Sequence, residues 1–331
     1  MKLAILGTGK IVQELLTTLH KVEIESLALL ATERSRGHAE QLAASGGIDA
    51  VFYDYAQLLA SDVDTVYIAL PNHLHFSFAR QALQAGKHLI IEKPIASNTA
   101  ELAALTALAA EKQLIMLEAM NVHALPSYLA LHESLPALGA LRLVSLNYSQ
   151  YSSRYAAFQA GDVHAAFDPQ KSGGALMDIN IYNLHFAVGL FGKPQAVSYQ
   201  ANVQRGIDTS GVMVLDYGSF KCVCIGAKDC QAPTVSVLQG EQASISLTLP
   251  VSQAVSFDLT RHDGTGEHHD FTDGEHRLLY EFQAFARIID GRDFATAEKM
   301  LTVSRQVAEV MEEGRRQQGI VFPADTAGAV L

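Results

Sequence analysis

Short apolar runs alternate with amphipathic stretches through the first 118 residues, and this alternation constrains the fold more than any other feature of the chain. Parallel strands need a crossover helix to bring the chain back to the same end of the sheet, so the pattern predicts a doubly wound α/β domain over residues 1–119. The strand-like runs lie at residues 3–6, 26–31, 50–53, 65–70, 88–91 and 114–117. Helical stretches lie between several of them, at residues 11–20, 36–45, 76–85 and 99–112.

The pattern changes after Glu118. A helical stretch at 126–134, a strand at 141–148 and a second helix at 174–191 are followed by strands in which polar and apolar residues alternate, most clearly at 244–249. Such strands bury only one face. Residues 120–331 are therefore predicted to form an α/β domain, in which helices back an open, mainly antiparallel sheet.

The composition excludes several classes of protein. The chain has 331 residues, with 24 Lys plus Arg against 35 Asp plus Glu, and its net charge of -11 disfavours a nucleic-acid or anionic-membrane surface. The amino-terminal apolar run is too short for a signal peptide, and no run reaches the length of a membrane span. Three cysteines, Cys222, Cys224 and Cys230, are too few for a disulfide framework and have no fourth ligand at zinc-finger spacing. We expect a cytoplasmic protein without a metal site.

A glycine-containing turn follows the first strand and opens the first helix, which is the position of a dinucleotide-binding fingerprint. Gly7 permits the tight turn, and Gly9 permits a pyrophosphate to approach the backbone at the helix amino end. Val12 replaces the third glycine of the fingerprint, a position that governs packing and not phosphate contact. The residues predicted to bind the cofactor here are Gly7, Thr8, Gly9, Lys10 and Ile11.

The end of the second strand predicts the choice of cofactor. Glu33 stands where a carboxylate accepts hydrogen bonds from the adenosine ribose and repels a 2′-phosphate, which favours NAD. Arg34 beside it offers a cation to that phosphate instead. Both are predicted cofactor-binding residues, with NAD as the predicted cofactor and NADP as the alternative.

A lysine ends the fifth apolar run. Lys93 comes after three apolar residues and Glu92, and before Pro94, which cannot continue a central strand. Open α/β sheets bind their ligands at the carboxyl ends of the strands. Lys93 is therefore predicted to touch the substrate.

Three polar side chains recur along the apolar helix at 174–191. Asp178, Tyr182 and His185 are spaced by four and three residues, which places them on one face of an α-helix. An acid, a phenol and an imidazole are costly to bury on such a helix without a purpose. The alternative is that Tyr182 and His185 are hydrogen-bonded core residues and that Asp178 is a structural acceptor.

Four of these segments together resemble the Gfo/Idh/MocA family, which includes glucose-fructose oxidoreductase and inositol dehydrogenase. They match in order and spacing, at residues 7–9, 70–75, 92–94 and 173–182, and the likeness covers nearly the whole chain. The resemblance implies an NAD(P)-dependent oxidoreductase that transfers a hydride between nicotinamide and a carbinol or carbonyl carbon of a sugar, polyol or related small molecule. It also implies that residues 120–331 are a substrate-binding and oligomerisation domain, and it supports a homodimer or homotetramer formed through the open sheet.

The resemblance assigns roles to individual residues. Lys93 lies between cofactor and substrate in the family, and Glu92 approaches the nicotinamide ribose. Asp178 and Tyr182 complete the catalytic group, while the spacing leaves open whether Tyr182 or His185 moves the proton. In the family, the turn after the fourth strand lines the dinucleotide. The cofactor-binding residues predicted in this turn are Leu70, Pro71, Asn72 and His75.

Some features leave alternatives open. Residues 120–123 read Met-Asn-Val-His where many relatives place aromatic and arginine residues, so a different substrate pocket is expected. The hydroxyl-rich loop at 150–155 is either a contact for a polyol or carboxylate, or a solvated loop.

The rival functions are an NAD-dependent glycoside-cleaving enzyme of the same fold and a non-catalytic dinucleotide sensor. A sensor has no need for the proton-transfer groups that this chain retains.

Overall fold

A parallel six-stranded sheet forms the centre of the amino-terminal unit of the structure, a computed structural model that describes residues 1–326. The strand order is β3-β2-β1-β4-β5-β6, so the succession of strands reverses between β1 and β4, as in doubly wound dinucleotide folds. The predicted fold class is confirmed for this part of the chain. The strands are β1 (Lys2–Leu6), β2 (Ser26–Leu30), β3 (Ala50–Phe52), β4 (Thr65–Ile68), β5 (His88–Glu92) and β6 (Met116–Ala119).

Continuous apolar sequence makes these strands central. All residues of β4 are buried, and from Leu3 onward so is β1, because helices cover both faces of a parallel sheet. The carboxyl ends of β1, β4 and β5 lie side by side, and this edge carries the predicted cofactor turns. The connecting helices are α1 (Lys10–Leu16), α2 (Arg36–Gly46), α3 (Tyr55–Ala60), α4 (His75–Gln84) and α5 (Thr99–Glu111).

An eight-stranded sheet forms the centre of the second unit, in the order β14-β13-β12-β11-β7-β10-β9-β8. Every neighbouring pair is antiparallel except β7 and β10, which run parallel. The predicted open, mainly antiparallel sheet is confirmed. The strands are β7 (Leu141–Ser149), β8 (Ala196–Gln204), β9 (Ile207–Asp216), β10 (Lys221–Ala227), β11 (Ser236–Gly240), β12 (Ala243–Leu247), β13 (Ser256–Arg261) and β14 (Gly266–Asp270).

The remaining helices follow Ala119. They are α6 (Pro126–Ser134), α7 (Tyr155–Ala160), α8 (Ile181–Phe191), α9 (Arg277–Asp290), α10 (Phe294–Gln317) and α11 (Pro323–Thr326). A single π turn, Leu176–Asn180, leads directly into α8. Across residues 1–326, no helix combines the length and the apolar character needed to cross a membrane.

The helix α9 packs against the core of the first unit. The first unit contains Met1–Ala119 together with Leu278–Ser304, and the second contains Met120–Arg277 together with Arg305–Thr326. Phe282 is fully buried, and its ring meets that of Tyr67 edge to face at 5.1 Å between centroids. The predicted domain 120–331 includes this helix, because an amphipathic pattern shows that a helix buries one face but not which core receives that face.

Candidate active site

The first predicted cofactor turn lies between β1 and α1. Gly7 has a φ of +107°, and a Cβ there would lie 2.7 Å from the carbonyl oxygen of Ala69, so the position requires glycine. A Cβ on Gly9, the residue that precedes α1, would meet no atom within 4 Å. The backbone is therefore open to a ligand at Gly9, while Gly7 brings the turn against the segment that follows β4. Lys10 is 90% exposed beside them.

The predicted cofactor-selecting carboxylate is engaged by a neighbour. Arg36 donates to both oxygens of Glu33, with Nη2 to Oε1 at 2.7 Å and Nε to Oε2 at 3.0 Å. The guanidinium of Arg36 also lies 3.7 Å from the ring centroid of Tyr53. Sequence reasoning missed Arg36, although its spacing of three residues from Glu33 is a signal for such a pair. Arg34, also exposed, stands between them in the chain.

The turns after β4 and β5 are joined by a buried histidine. The ring of His75 is fully buried, with Nδ1 2.9 Å from the carbonyl oxygen of Pro94 and Nε2 2.8 Å from that of Leu70. Burial lowers the pKa of His75. The imidazole of this predicted cofactor residue therefore lies between the two turns, and its single N–H can donate to one of the two carbonyl oxygens. Pro71 and Asn72 are more accessible than His75 and form the outer surface of the turn after β4.

Lys93 follows β5 at the same edge of the sheet. Glu92, the last residue of β5, accepts a hydrogen bond from the hydroxyl of Tyr67 at 2.5 Å. Lys93 is partly exposed, while the next turn is fixed by the N–H of Ile95, which donates to the buried Glu118 at 3.0 Å. The first unit therefore brings together the glycine turn, the segment after β4 and the Glu-Lys pair, as the strand ends predicted.

In the second unit, a pair of glycines opens the π turn. Gly174 has a φ of +109°, and a Cβ there would lie 2.2 Å from Oδ1 of Asp208. Asp208 is 1% exposed, and its Oδ2 accepts from the N–H of Leu176 at 2.6 Å and from the hydroxyl of Tyr199 at 2.8 Å. Burial raises the pKa of Asp208. This carboxyl group, which no sequence motif indicated, fixes the start of the helix that carries Asp178.

Substitution of Gly174 tests this anchor. We expect Gly161→Ala, a left-handed position with open space around it, to lower the free energy of unfolding by about 1–2 kcal/mol. Gly174→Ala should cost at least about 2 kcal/mol more, because the new methyl group displaces Asp208 from its hydrogen bonds. Urea denaturation of both variants measures the difference. Equal losses would show that backbone conformation alone requires Gly174.

The three predicted catalytic residues of this helix have different partners. Asp178 lies in the π turn and pairs with Lys228, while Tyr182 in α8 packs on Tyr148 at 5.8 Å between ring centroids. Nδ1 of His185 lies 3.1 Å from Nε2 of His123. The prediction of one shared face assumed α-helical spacing, and the π turn changes the spacing after Asp178. Such turns are frequent at functional sites.

His185 is enclosed, whereas Tyr182 is accessible. The side chain of His185 is 1% exposed, and the ring of its partner His123 meets the ring of Tyr128 edge to face at 5.4 Å. Burial raises the pKa of Tyr128. Tyr182 is partly exposed, so it is better placed than His185 to touch a substrate. Sequence reasoning noticed His123 as a departure from the family but did not predict its contact with His185.

Lys228 is the second residue that the sequence analysis missed. Its ammonium lies 2.5 Å from Oδ2 of Asp178 and donates to the carbonyl oxygen of Ala166 at 2.9 Å. The hydroxyl-rich loop is tied to the same residue, because the N–H of Ser152 donates to the carbonyl oxygen of Lys228 at 2.9 Å. A signal was present in the sequence, because Lys228 directly follows the strand β10 as Lys93 directly follows β5.

Comparisons with known proteins match both units of the chain to one oxidoreductase family. Residues 1–120 match an oxidoreductase family with an NAD-binding Rossmann fold, and residues 136–246 match the GFO/IDH/MocA C-terminal domain. An uncharacterized oxidoreductase of Escherichia coli is 36% identical, covering 98% of this chain and 99% of the relative. A scyllo-inositol 2-dehydrogenase (NADP(+)) of Bacillus subtilis is 34% identical, covering 99% and 100%.

More distant proteins share the fold. A trans-1,2-dihydrobenzene-1,2-diol dehydrogenase of Bos taurus is 28% identical, covering 94% of each chain. The crystal structure of a 3-ketoreductase from Actinomadura kijaniata, in complex with NADP and TDP-benzene, superposes with a TM-score of 0.82. At 20% identity, covering 94% of this chain and 97% of the other, this likeness establishes the fold alone.

Proposed function

Since the chain belongs to the Gfo/Idh/MocA oxidoreductase family, we propose that it is an NAD(P)-dependent dehydrogenase whose substrate is a six-membered ring with adjacent trans hydroxyl groups. The predicted family, nicotinamide cofactor and oxidoreductase class acting on CH–OH groups are confirmed. The observation that supports this substrate class is the 34% identity, over nearly the full length, to a dehydrogenase of scyllo-inositol. The 28% identity to a dehydrogenase of a trans-dihydrodiol adds to it. Both named substrates contain adjacent trans hydroxyls on a ring.

The glycine turn fits a dinucleotide. A Cβ would block Gly7, and the space around Gly9 leaves main-chain N–H groups at the amino end of α1 accessible to a pyrophosphate. The bound nicotinamide supplies the hydride acceptor or donor. The cofactor-binding residues proposed at this sheet edge are those predicted from the sequence, with His75 acting through the turns it joins.

The chain's own residues handle the proton and the orientation of the substrate. In the oxidation direction, the carbinol C–H bond breaks as the hydride leaves, and the hydroxyl proton passes to a base. We assign that proton transfer to Tyr182, because Tyr182 is accessible and His185 is enclosed. Asp178, whose side chain is 40% exposed, accepts a hydrogen bond from the neighbouring hydroxyl.

A substrate panel tests this function. The cofactor carried through purification is first identified by mass spectrometry. Oxidation of scyllo-inositol and of trans-1,2-dihydrobenzene-1,2-diol is then followed by the absorbance of the reduced cofactor, with the cis-diol and open-chain polyols as matched controls. We expect turnover of a trans ring diol and slower turnover of the cis isomer. Glycoside cleavage without net reduction of the cofactor would favour the rival enzyme, and cofactor binding without turnover would favour the sensor.

The Glu33 and Arg36 pair leads to a prediction about the cofactor. The sequence favours NAD because of Glu33, but Arg36 holds both oxygens of that carboxylate, and Arg34 adds a second cation. We expect NADP(H) to bind within about tenfold of NAD(H), and Glu33→Ser to shift the ratio toward NADP(H) by about tenfold, because a repulsive charge is removed.

Fluorescence titration of both cofactors measures this ratio. Glu111→Ser, which removes an exposed carboxylate of α5, is the control and should leave the ratio unchanged. A strong preference for NAD(H) that disappears in Glu33→Ser would show that Glu33 selects NAD even while it pairs with Arg36.

We also propose a homo-oligomer formed through the open face of the eight-stranded sheet. Val223 and Ile225 are partly exposed on β10, and they stand opposite Val214 and Val212 of β9, of which Val212 is 39% exposed. This surface is more apolar than the serine-containing strand at 244–249 suggested, because aliphatic residues from neighbouring strands align in register. An exposed apolar patch of this kind is typical of an interface.

Light scattering tests the oligomer. We expect a mass of two or four chains for the wild type and the mass of one chain for Val223→Glu, since a carboxylate in an apolar interface is costly to desolvate. Val203→Glu, at an exposed valine near the end of β8, is the control. A wild-type protein with the mass of one chain at micromolar concentration would contradict the proposal.

The cytoplasmic location remains our proposal as well. Cys222 and Cys224 are free thiols although their sulfur atoms lie 3.8 Å apart, and Cys230 is free and exposed. Thiols left in this state are typical of a reducing compartment.

A further inference from the structure

Lys228 occupies a fixed position just beyond β10. The strands β7 and β10 run parallel, so their carboxyl ends meet there. The N–H of Lys228 donates to the carbonyl oxygen of Thr209, and its carbonyl accepts from the N–H of Ser152, both at 2.9 Å. With its main chain held on both sides, the lysine directs its side chain into the second unit, where that side chain is only 4% exposed.

The buried ammonium has three contacts. It lies 2.5 Å from Oδ2 of Asp178, donates to the carbonyl oxygen of Ala166 at 2.9 Å, and lies 4.3 Å from the ring centroid of Phe167. A buried ammonium is costly unless it is paired with an opposite charge and hydrogen-bonded. Asp178 supplies that charge and still keeps 40% of its side-chain surface accessible. The pair thus has a buried cationic side and an accessible anionic side.

We propose that Lys228 is a positioning residue that holds the Asp178 carboxylate in a single orientation. An ionised carboxylate only accepts hydrogen bonds, so Asp178 selects for a substrate that presents a hydroxyl donor. The bond from Lys228 to Ala166 also ties the segment before the glycine pair to the same carboxylate. The inference rests on the proposed function, in which Asp178 touches the substrate.

The two partners of this ion pair differ in burial, and this difference gives a test that needs no substrate. Asp178→Asn leaves a buried ammonium without its counter-charge, whereas Lys228→Met replaces that ammonium with an apolar side chain of similar length. We expect Asp178→Asn to lower the melting temperature more than Lys228→Met does. Adding Lys228→Met to Asp178→Asn should recover part of the loss.

Steady-state kinetics supply the second test. Lys228→Met should lower kcat by about 10²-fold, the size of effect that a misplaced catalytic group produces. Lys228→Arg should restore much of the rate, and Lys228→Met with Asp178→Asn should be no slower than Asp178→Asn alone. Lys221→Met is the matched control, because Lys221 starts the same strand and pairs with the exposed Asp216. It should leave kcat near the wild-type value.

Two results would overturn the proposal. One is a folded Lys228→Met enzyme with wild-type kcat, or with a rate loss that adds to that of Asp178→Asn. The other is a decrease in melting temperature for the double variant that equals the sum of the decreases for the two single variants. Additive decreases would show that the two residues do not interact. A wild-type protein that is inactive on every ring diol would contradict the proposed function, and with it the inference about the substrate. If the double variant still recovered melting temperature in that case, the failure would lie in the proposed function and not in the ion pair.

Discussion

Turnover is expected to fall by about 10³-fold or more when Lys93 is replaced by methionine, because the variant loses the ammonium that is predicted to touch the substrate. Dinucleotide affinity should stay within about tenfold of the wild type, since phosphate binding depends on the backbone between Gly7 and Gly9. Single-turnover kinetics on a confirmed substrate and fluorescence titration of the cofactor measure the two effects separately.

Lys87→Met is the matched control for this experiment. Lys87 precedes the same strand at its opposite end, where its ammonium donates to the carbonyl oxygens of Ser61 and Val63 at 3.0 and 2.6 Å. We expect this variant to lose stability but not intrinsic turnover. Comparable rate losses in Lys87→Met and Lys93→Met, or none in either, would show that the carboxyl end of β5 is not the reaction site.

The second large effect is expected for Tyr182→Phe. Removal of a group that moves the proton should lower kcat by about 10²- to 10⁴-fold, with a smaller change in KM. The structure favours this residue because its ring is partly exposed and packs on Tyr148, whereas His185 is enclosed and pairs with His123. Pre-steady-state measurement of hydride transfer tests whether chemistry is the step that slows.

Two further variants control for Tyr182→Phe. Tyr148→Phe removes a hydroxyl from the neighbouring ring and should retain most of the activity. His185→Asn removes the imidazole, and its folding is checked by the melting temperature. A nearly wild-type Tyr182→Phe enzyme beside a folded but inactive His185→Asn enzyme would assign the proton to His185.

The fold of the first unit follows from local pattern. A parallel sheet is buried on both faces, so its strands read as continuous apolar runs, and the helices between them are long enough to recognise. The reversal of strand order between β1 and β4 then places the ends of these strands together. For this reason the amino-acid sequence alone is enough to predict that the glycine turn and Lys93 lie at the same edge of the sheet.

Residues of the second unit are less predictable because their partners are distant in the chain. Asp178 is identified from its helix, but its partner Lys228 lies 50 residues away, and His123 lies 62 residues from His185. No spacing rule connects such residues. Their contacts depend on which strands are neighbours and in which register they pair.

The sequence by itself determined the two fold classes, the glycine turn and the lysine at the end of β5, because each depends on residues close together in the chain. Tertiary structure decided that α9 packs on the first core, that a π turn alters the spacing after Asp178, and that Lys228 is buried behind it. The physical reason is that apolar periodicity encodes how much surface an element buries, whereas sheet order, register and packing select what is buried against it.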